Sequence, residues 1–141
     1  LDIARWPLTA GADETWYVKP DAGRIFGSPA DQTPSAPCDA QPEELDLAIA
    51  ADRIMAHTTL EIRRFASTWA GLRSFVANKS PVAGFDPKAE GFFWLAGQGG
   101  YGIQTAPGMG RLAASLIKGA GIPADIKVTP SDLAPDRPGL R

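Results

Sequence analysis

The spacing of apolar positions changes several times along the chain. Glu14-Thr15-Trp16-Tyr17-Val18-Lys19 concentrates aromatic and β-branched types and predicts a strand. Pro20-Asp21-Ala22-Gly23 predicts a turn, and Arg24-Ile25-Phe26-Gly27-Ser28 predicts a returning strand, so the two read as a hairpin. Residues 29–41 form a Pro/Ser/Asp loop. From Pro42 the period lengthens: Leu47, Ala51, Ile54, Met55, Thr58 and Ile62 recur at helical spacing, and Glu43 and Glu44 stand where a helix start favours carboxylates. This predicts a helix from 42 to about 64, with His57 on its surface.

The second half alternates between strand and helix patterns again. Trp69-Ala70-Gly71-Leu72-Arg73-Ser74-Phe75-Val76 predicts a strand, Asn78-Lys79-Ser80 a turn, Pro81-Val82-Ala83-Gly84-Phe85 an extended piece, and Asp86-Pro87 a break. The continuous apolar run Phe92-Phe93-Trp94-Leu95-Ala96 predicts a buried strand. A helix is predicted from about 103 to 118, burying Met109, Leu112, Ala113, Leu116 and Ile117, and Gly119-Ala120-Gly121 stops it. From Ile122 the chain reads as a Pro-rich tail. Short strands with two main helices and no internal repeat give an α+β or α/β class.

Composition narrows the chemistry. The 141 residues suffice for one cored domain. Sixteen acidic residues against 14 basic ones leave no surplus to neutralise phosphates, so nucleic acid is not expected as a partner. No apolar run approaches the roughly 20 residues of a membrane span, and nothing resembles a signal peptide. A cytoplasmic location is the expectation. Cys38 is the single cysteine and His57 the single histidine, so neither an internal disulfide nor a metal site is expected. The start at Leu1, with 13 Pro and 15 Gly, suits a piece of a longer protein.

Between the apolar run and the second long helix lies Gly97-Gln98-Gly99-Gly100-Tyr101-Gly102, which spells G-x-G-x-x-G. A dinucleotide fingerprint also needs a second parallel strand that ends in an acid about 20 residues on. The stretch Ile122-Pro123-Ala124-Asp125-Ile126-Lys127-Val128 puts Asp125 ahead of apolar residues instead. Two other readings use the same physics. A helix start offers unpaired N–H groups and partial positive charge, suited to the negative N1/C2 carbonyl edge of a reduced flavin. Alternatively, the glycines serve only tight helix–strand packing.

Three ordered stretches then agree with one family. Gly91-Phe92-Phe93-Trp94-Leu95-Ala96-Gly97-Gln98-Gly99-Gly100-Tyr101-Gly102-Ile103-Gln104-Thr105-Ala106 resembles the C-terminal flavin-contacting segment of the D-amino acid oxidase superfamily. Trp16-Tyr17-Val18-Lys19-Pro20-Asp21-Ala22-Gly23 and Thr68-Trp69-Ala70-Gly71-Leu72-Arg73-Ser74-Phe75 resemble segments of its D-amino acid dehydrogenase branch, of the D-arginine dehydrogenase type. The resemblance runs from about 14 to 118. It implies the C-terminal part of a two-domain FAD-binding fold with a mixed sheet. Residues 1–79 would belong to the substrate domain, 80–120 to the FAD-binding domain and 121–141 to a tail. The dinucleotide motif of such enzymes lies in an N-terminal half that this chain lacks, and that half is then an expected partner. Self-association, or a co-purifying second chain, would otherwise cover the exposed apolar surface.

The resemblance also implies roles. Arg73 would bind the substrate carboxylate through two parallel hydrogen bonds, Tyr17 would hydrogen-bond the same group, and the Gly100 carbonyl would face the substrate amine. Gly99, Gly100, Tyr101, Gly102, Ile103, Gln104 and Thr105 would contact the flavin, the last five through backbone N–H groups. Lys19 and Asp21 read as turn-shaping residues. No side chain is expected to act as a catalytic base, since hydride transfer from the α-carbon to FAD carries the reaction. Relatives such as monomeric sarcosine oxidase hold flavin through a cysteine near the Arg73 position; none occurs here, so non-covalent FAD is implied. The reading is then an FAD-dependent oxidoreductase acting on the Cα–N bond of a D-amino acid or related amine, with this chain inactive alone. The alternatives are a catalytically inactive fragment and a small nucleotide-binding module.

Overall fold

A computed structural model describes residues 2–140. The elements are β1 (Thr9–Ala10), β2 (Tyr17–Asp21), β3 (Arg24–Ser28), α1 (Glu44–His57), β4 (Val82–Phe85), β5 (Phe93–Ala96), α2 (Gly102–Ile117) and α3 (Pro130–Leu133). The α+β class is as expected, and every strand pairing among the described residues is antiparallel. No helix among them is long and apolar enough to cross a membrane. The chain divides into two compact units, Leu1–Leu72 and Arg73–Arg141.

The first unit is a three-stranded sheet in the order β1-β2-β3, with α1 on one face. Its hairpin turn is shorter than predicted. Pro20 pairs with Ile25 and Asp21 with Arg24, leaving Ala22 (φ 47°) and Gly23 (φ 76°) as a two-residue turn. Two positive φ values match the right-handed strand twist, which is why the strands extend to this point. Trp16, Val18 and Ile54 form the core, flanked by Ile25, Leu60 and Ile62. The Arg53 guanidinium donates to the Thr15 carbonyl at 2.8 Å, tying α1 to the entry of β2. The other sheet face carries Tyr17, Lys19 and Phe26, whose ring lies 5.2 Å from that of Trp69.

Helix α1 ends at His57, short of the predicted 64. Thr58 is extended (φ −138°, ψ 171°); its hydroxyl donates to the Ile54 carbonyl at 2.7 Å and accepts from the Leu60 N–H at 3.2 Å. A β-branched side chain that bonds its own backbone competes with the next helical turn. Ile62 still packs on the core, but from an irregular segment.

The second unit pairs β4 with β5 and packs α2 and α3 on β4. Ala83, Leu112 and Leu133 make its core, with Phe93, Met109, Leu116, Ile122, Ile126 and Val128 around them. The supposed tail thus supplies part of the core. Ile117, expected inside, is exposed. The predicted buried strand is half open: Trp94 and Leu95 are exposed, while Phe93 and Ala96 are half-buried. Helix α2 contains Pro107, and it closes as anticipated at Gly119 (φ 64°). There the Gly119 N–H donates to Leu116 and the Ala120 N–H to Ser115. The Arg111–Asp125 pair is bidentate at 2.7 and 2.9 Å but solvent-exposed, so it adds little.

Asp86 organises the β4–β5 turn. Its carboxylate accepts from the Lys88 N–H at 2.7 Å, the Ala89 N–H at 3.1 Å and the Trp94 indole at 2.8 Å. The Trp94 bond foremost, then the backbone bonds, holds its pKa below the ordinary 3.8.

Two outcomes are expected. Ile54→Ala, removing a side chain 2 % exposed, destabilises the first unit by about 2–5 kcal/mol in denaturant unfolding. Asp86, with a depressed folded pKa, stabilises the turn above its unfolded value. That contribution disappears as pH falls through the lower folded value. The stability gap between wild type and Asp86→Asn therefore stays constant at neutral pH and closes only below about pH 4. A gap that closes between pH 5 and 7 contradicts this account.

Candidate functional site

The site grows out of the loop between β5 and α2. After Ala96 the backbone turns left-handed at Gly97 (φ 68°) and again at Gly99 (φ 52°), conformations that side chains resist. The absence of side chains is used at once. A Cβ at Gly97 would lie 3.1 Å from Val76 Cγ1, one at Gly99 would lie 2.6 Å from Phe75 Cε1, and one at Gly100 would lie 3.0 Å from Arg73 Nη1. The Gly99 N–H also donates to the Ser74 carbonyl at 3.0 Å. Residues 73–76 therefore lie along the glycine loop, with the Arg73 guanidinium beside Gly100.

This arrangement corrects the strand expected over 69–76. One ladder-type bond, from Gly99 to Ser74, does not make a strand, and residues 63–75 are exposed throughout. The alternating pattern is real, but a strand needs a neighbour to complete its backbone bonds, and the second unit provides a loop. Arg73 is thus an exposed residue pressed on glycine, with no ion-pair partner among the described residues.

Helix α2 begins at Gly102 with no side chain capping it; the preceding Tyr101 has φ −107° and ψ 5°. Of the five N–H groups expected to face a flavin, two are engaged within the chain. Tyr101 donates to the Gln98 carbonyl and Thr105 to the Tyr101 carbonyl, each at 3.0 Å. The N–H groups of Gly102, Ile103 and Gln104, the first three of the helix, have no intrahelical acceptor. They carry the positive end of the α2 dipole and suit an electron-rich, planar carbonyl edge. Ile103 stands 96 % exposed beside them, an apolar side chain with no internal burial.

The second unit thus brings together Arg73, Gly99, Gly100, Tyr101, Gly102, Ile103, Gln104 and Thr105. Tyr17 belongs to the first unit, where it pairs with Ser28 and its ring tilts on Phe26 at 5.7 Å. Lys19 and Asp21 approach to 3.7 Å as an exposed pair near the hairpin turn. Phe75 and Val76 are contributors that sequence reasoning missed. Their signal was present in the same stretch as Arg73, but it read as strand alternation.

The loop is not part of a βαβ unit: β5 pairs antiparallel with β4, and the chain after α2 leads to α3. A family model described as FAD dependent oxidoreductase (DAO) matches residues 2–116. The chain belongs to this family, whose cofactor is FAD.

Gly99→Ala tests the close approach. It strains a left-handed position and drives a methyl group into Phe75. The expected loss is about 1–3 kcal/mol of stability in the second unit, with weaker FAD retention measured by flavin absorbance after gel filtration. Gly108→Ala, inside α2 and meeting open space, serves as the comparison without a clash and should stabilise the unit by about 0.5–1 kcal/mol.

Proposed function

We propose that this chain is the C-terminal part of an FAD-dependent dehydrogenase of the D-amino acid type, oxidising the Cα–N bond of a D-amino acid. The observation that carries the reading is the Arg73 guanidinium lodged against Gly100, one residue chain away from the open start of α2. A candidate carboxylate recogniser in residues 73–76 and candidate backbone donors at the start of α2 lie along one glycine loop, which supports this reading.

FAD, when bound, supplies the hydride acceptor. The chain's own residues do the positioning. Arg73 would grip the carboxylate bidentately, and the Gly100 carbonyl would accept from the amine. The N–H groups of Gly102, Ile103 and Gln104 would lie toward the ring edge and favour negative charge there. No side-chain base is required, because the amine loses its proton to water and the α-hydrogen leaves with its electron pair. The imine product then hydrolyses to a 2-oxo acid and ammonia. The upstream half of the FAD-binding fold, as a partner, would hold the rest of the cofactor and cover apolar surface such as Ile103 and Trp94.

The test uses the FAD-loaded assembly of this chain with the upstream half of the FAD-binding fold, a panel of D-amino acids and an artificial electron acceptor. Arg73→Lys should lower kcat/KM by roughly 10- to 100-fold, the worth of one charge-assisted hydrogen bond. Turnover of an amine without a carboxylate should change little. Equal losses on both substrate types would remove Arg73 from carboxylate recognition, and an FAD-loaded assembly inert to every D-amino acid would sink the proposal.

A further inference from the structure

Arg137 lies beyond the residues matched by the family model, yet it is one of the most buried polar side chains, only 9 % exposed. Its Nη1 donates to the Ala134 carbonyl at 3.1 Å. Its Nη2 donates to Asn78 Oδ1 at 3.1 Å and to the Ser80 carbonyl at 2.6 Å. Its Nε has no partner among the described residues. Its acceptors among the described residues are neutral. A buried cation so held is costly to keep, and its geometry is correspondingly fixed.

What it fixes is the stretch that follows Arg73. Val76 lies beside Gly97 and Ser74 beside Gly99, while Val82 pairs with Ala96 and Phe85 with Phe93. Residues 73–85 therefore run antiparallel to residues 93–99 on both sides of an excursion at 77–81. Within the excursion Lys79 is left-handed (φ 59°) and donates to Val76, and the Ser80 N–H donates to Asn78 Oδ1. Arg137 binds the two residues that define that loop, and the Ala77 N–H meets the Leu140 carbonyl at 3.5 Å. The length and pitch of the excursion determine which residue falls opposite Gly100.

We infer that Arg137 is a positioning residue: by clamping the 77–81 excursion it sets the register of 73–76 on the glycine loop, and so the placement of the Arg73 guanidinium. The functional half of this inference rests on the proposed carboxylate role of Arg73; the structural half does not. The clamp acts from the C-terminal segment, so carboxylate affinity depends on residues that never meet substrate.

The test compares Arg137→Lys and Arg137→Met with wild type, by hydrogen exchange in the chain itself and by kinetics in the FAD-loaded assembly with the upstream half. Amide hydrogen exchange at Gly99 reports on its bond to Ser74 and needs no activity. Arg137→Met should speed that exchange about tenfold while Val18, in the first unit, is unchanged. KM for a D-amino acid should rise by a similar factor with kcat nearly constant. Arg137→Lys, a point charge that cannot span the same acceptors, should fall between. If Arg137→Met does not fold, Arg137→Lys decides, and free guanidinium added to Arg137→Ala should restore protection at Gly99. Unchanged Gly99 exchange in the folded variants overturns the inference and leaves Arg137 as an anchor of the C-terminal segment. Wild type that is inert to D-amino acids overturns the function instead, and the exchange result still decides the clamp.

Discussion

The approach of residues 73–76 to the backbone of Gly97, Gly99 and Gly100 is the constraint on which the second unit turns. Val76, Phe75 and Arg73 each occupy space that a Cβ on the loop would claim. Once that approach is made, the Gly99 N–H is consumed by Ser74, the Tyr101 N–H turns inward to Gln98, and the next three amides are left facing outward at the start of α2. The glycines thus do two kinds of work. Those before Tyr101 admit Val76, Phe75 and Arg73; the one after it admits Gln98 and starts α2 without a side-chain cap. A phosphate-binding loop would have spent the first kind on the ligand as well.

The parts legible in the sequence are those governed by local periodicity and local turn chemistry. Helix α2 and its Gly119 stop, the β2–β3 hairpin and the short β4 could all be read from spacing. Misreadings came where a distant or competing interaction decided. Thr58 ended α1 through a hydroxyl bond to its own backbone, although the apolar period ran on to Ile62. The 69–76 stretch has strand composition but no strand neighbour, and periodicity carries no information about a neighbour. The last twenty residues looked like tail because Pro interrupts every pattern there. Their contribution comes from scattered anchors: Leu133 in the core, Ile122, Ile126 and Val128 around it, and Arg137 on a turn 57 residues earlier in sequence. For the site, the residue types and order could be recognised. Which amides were already satisfied could not, since that depends on bonds such as Gly99 to Ser74.

The two units also divide the chemistry. The first sets its aromatic face, with Tyr17, Phe26 and Trp69, opposite the face that packs on α1. The second holds the guanidinium and the backbone donors. Each has a small core, built around Trp16, Val18 and Ile54 in one and Ala83, Leu112 and Leu133 in the other, so each tolerates few losses.

Pro107 gives α2 a property that its sequence position alone would not suggest. It lacks the N–H that would otherwise answer the Ile103 carbonyl, so the opening turn is joined to the body of the helix by one bond fewer. Helices bend most readily at such points. The amides at Gly102, Ile103 and Gln104 therefore lie on a first turn whose backbone bonding is one bond poorer than that of the turns carrying the buried Leu112 and Ala113.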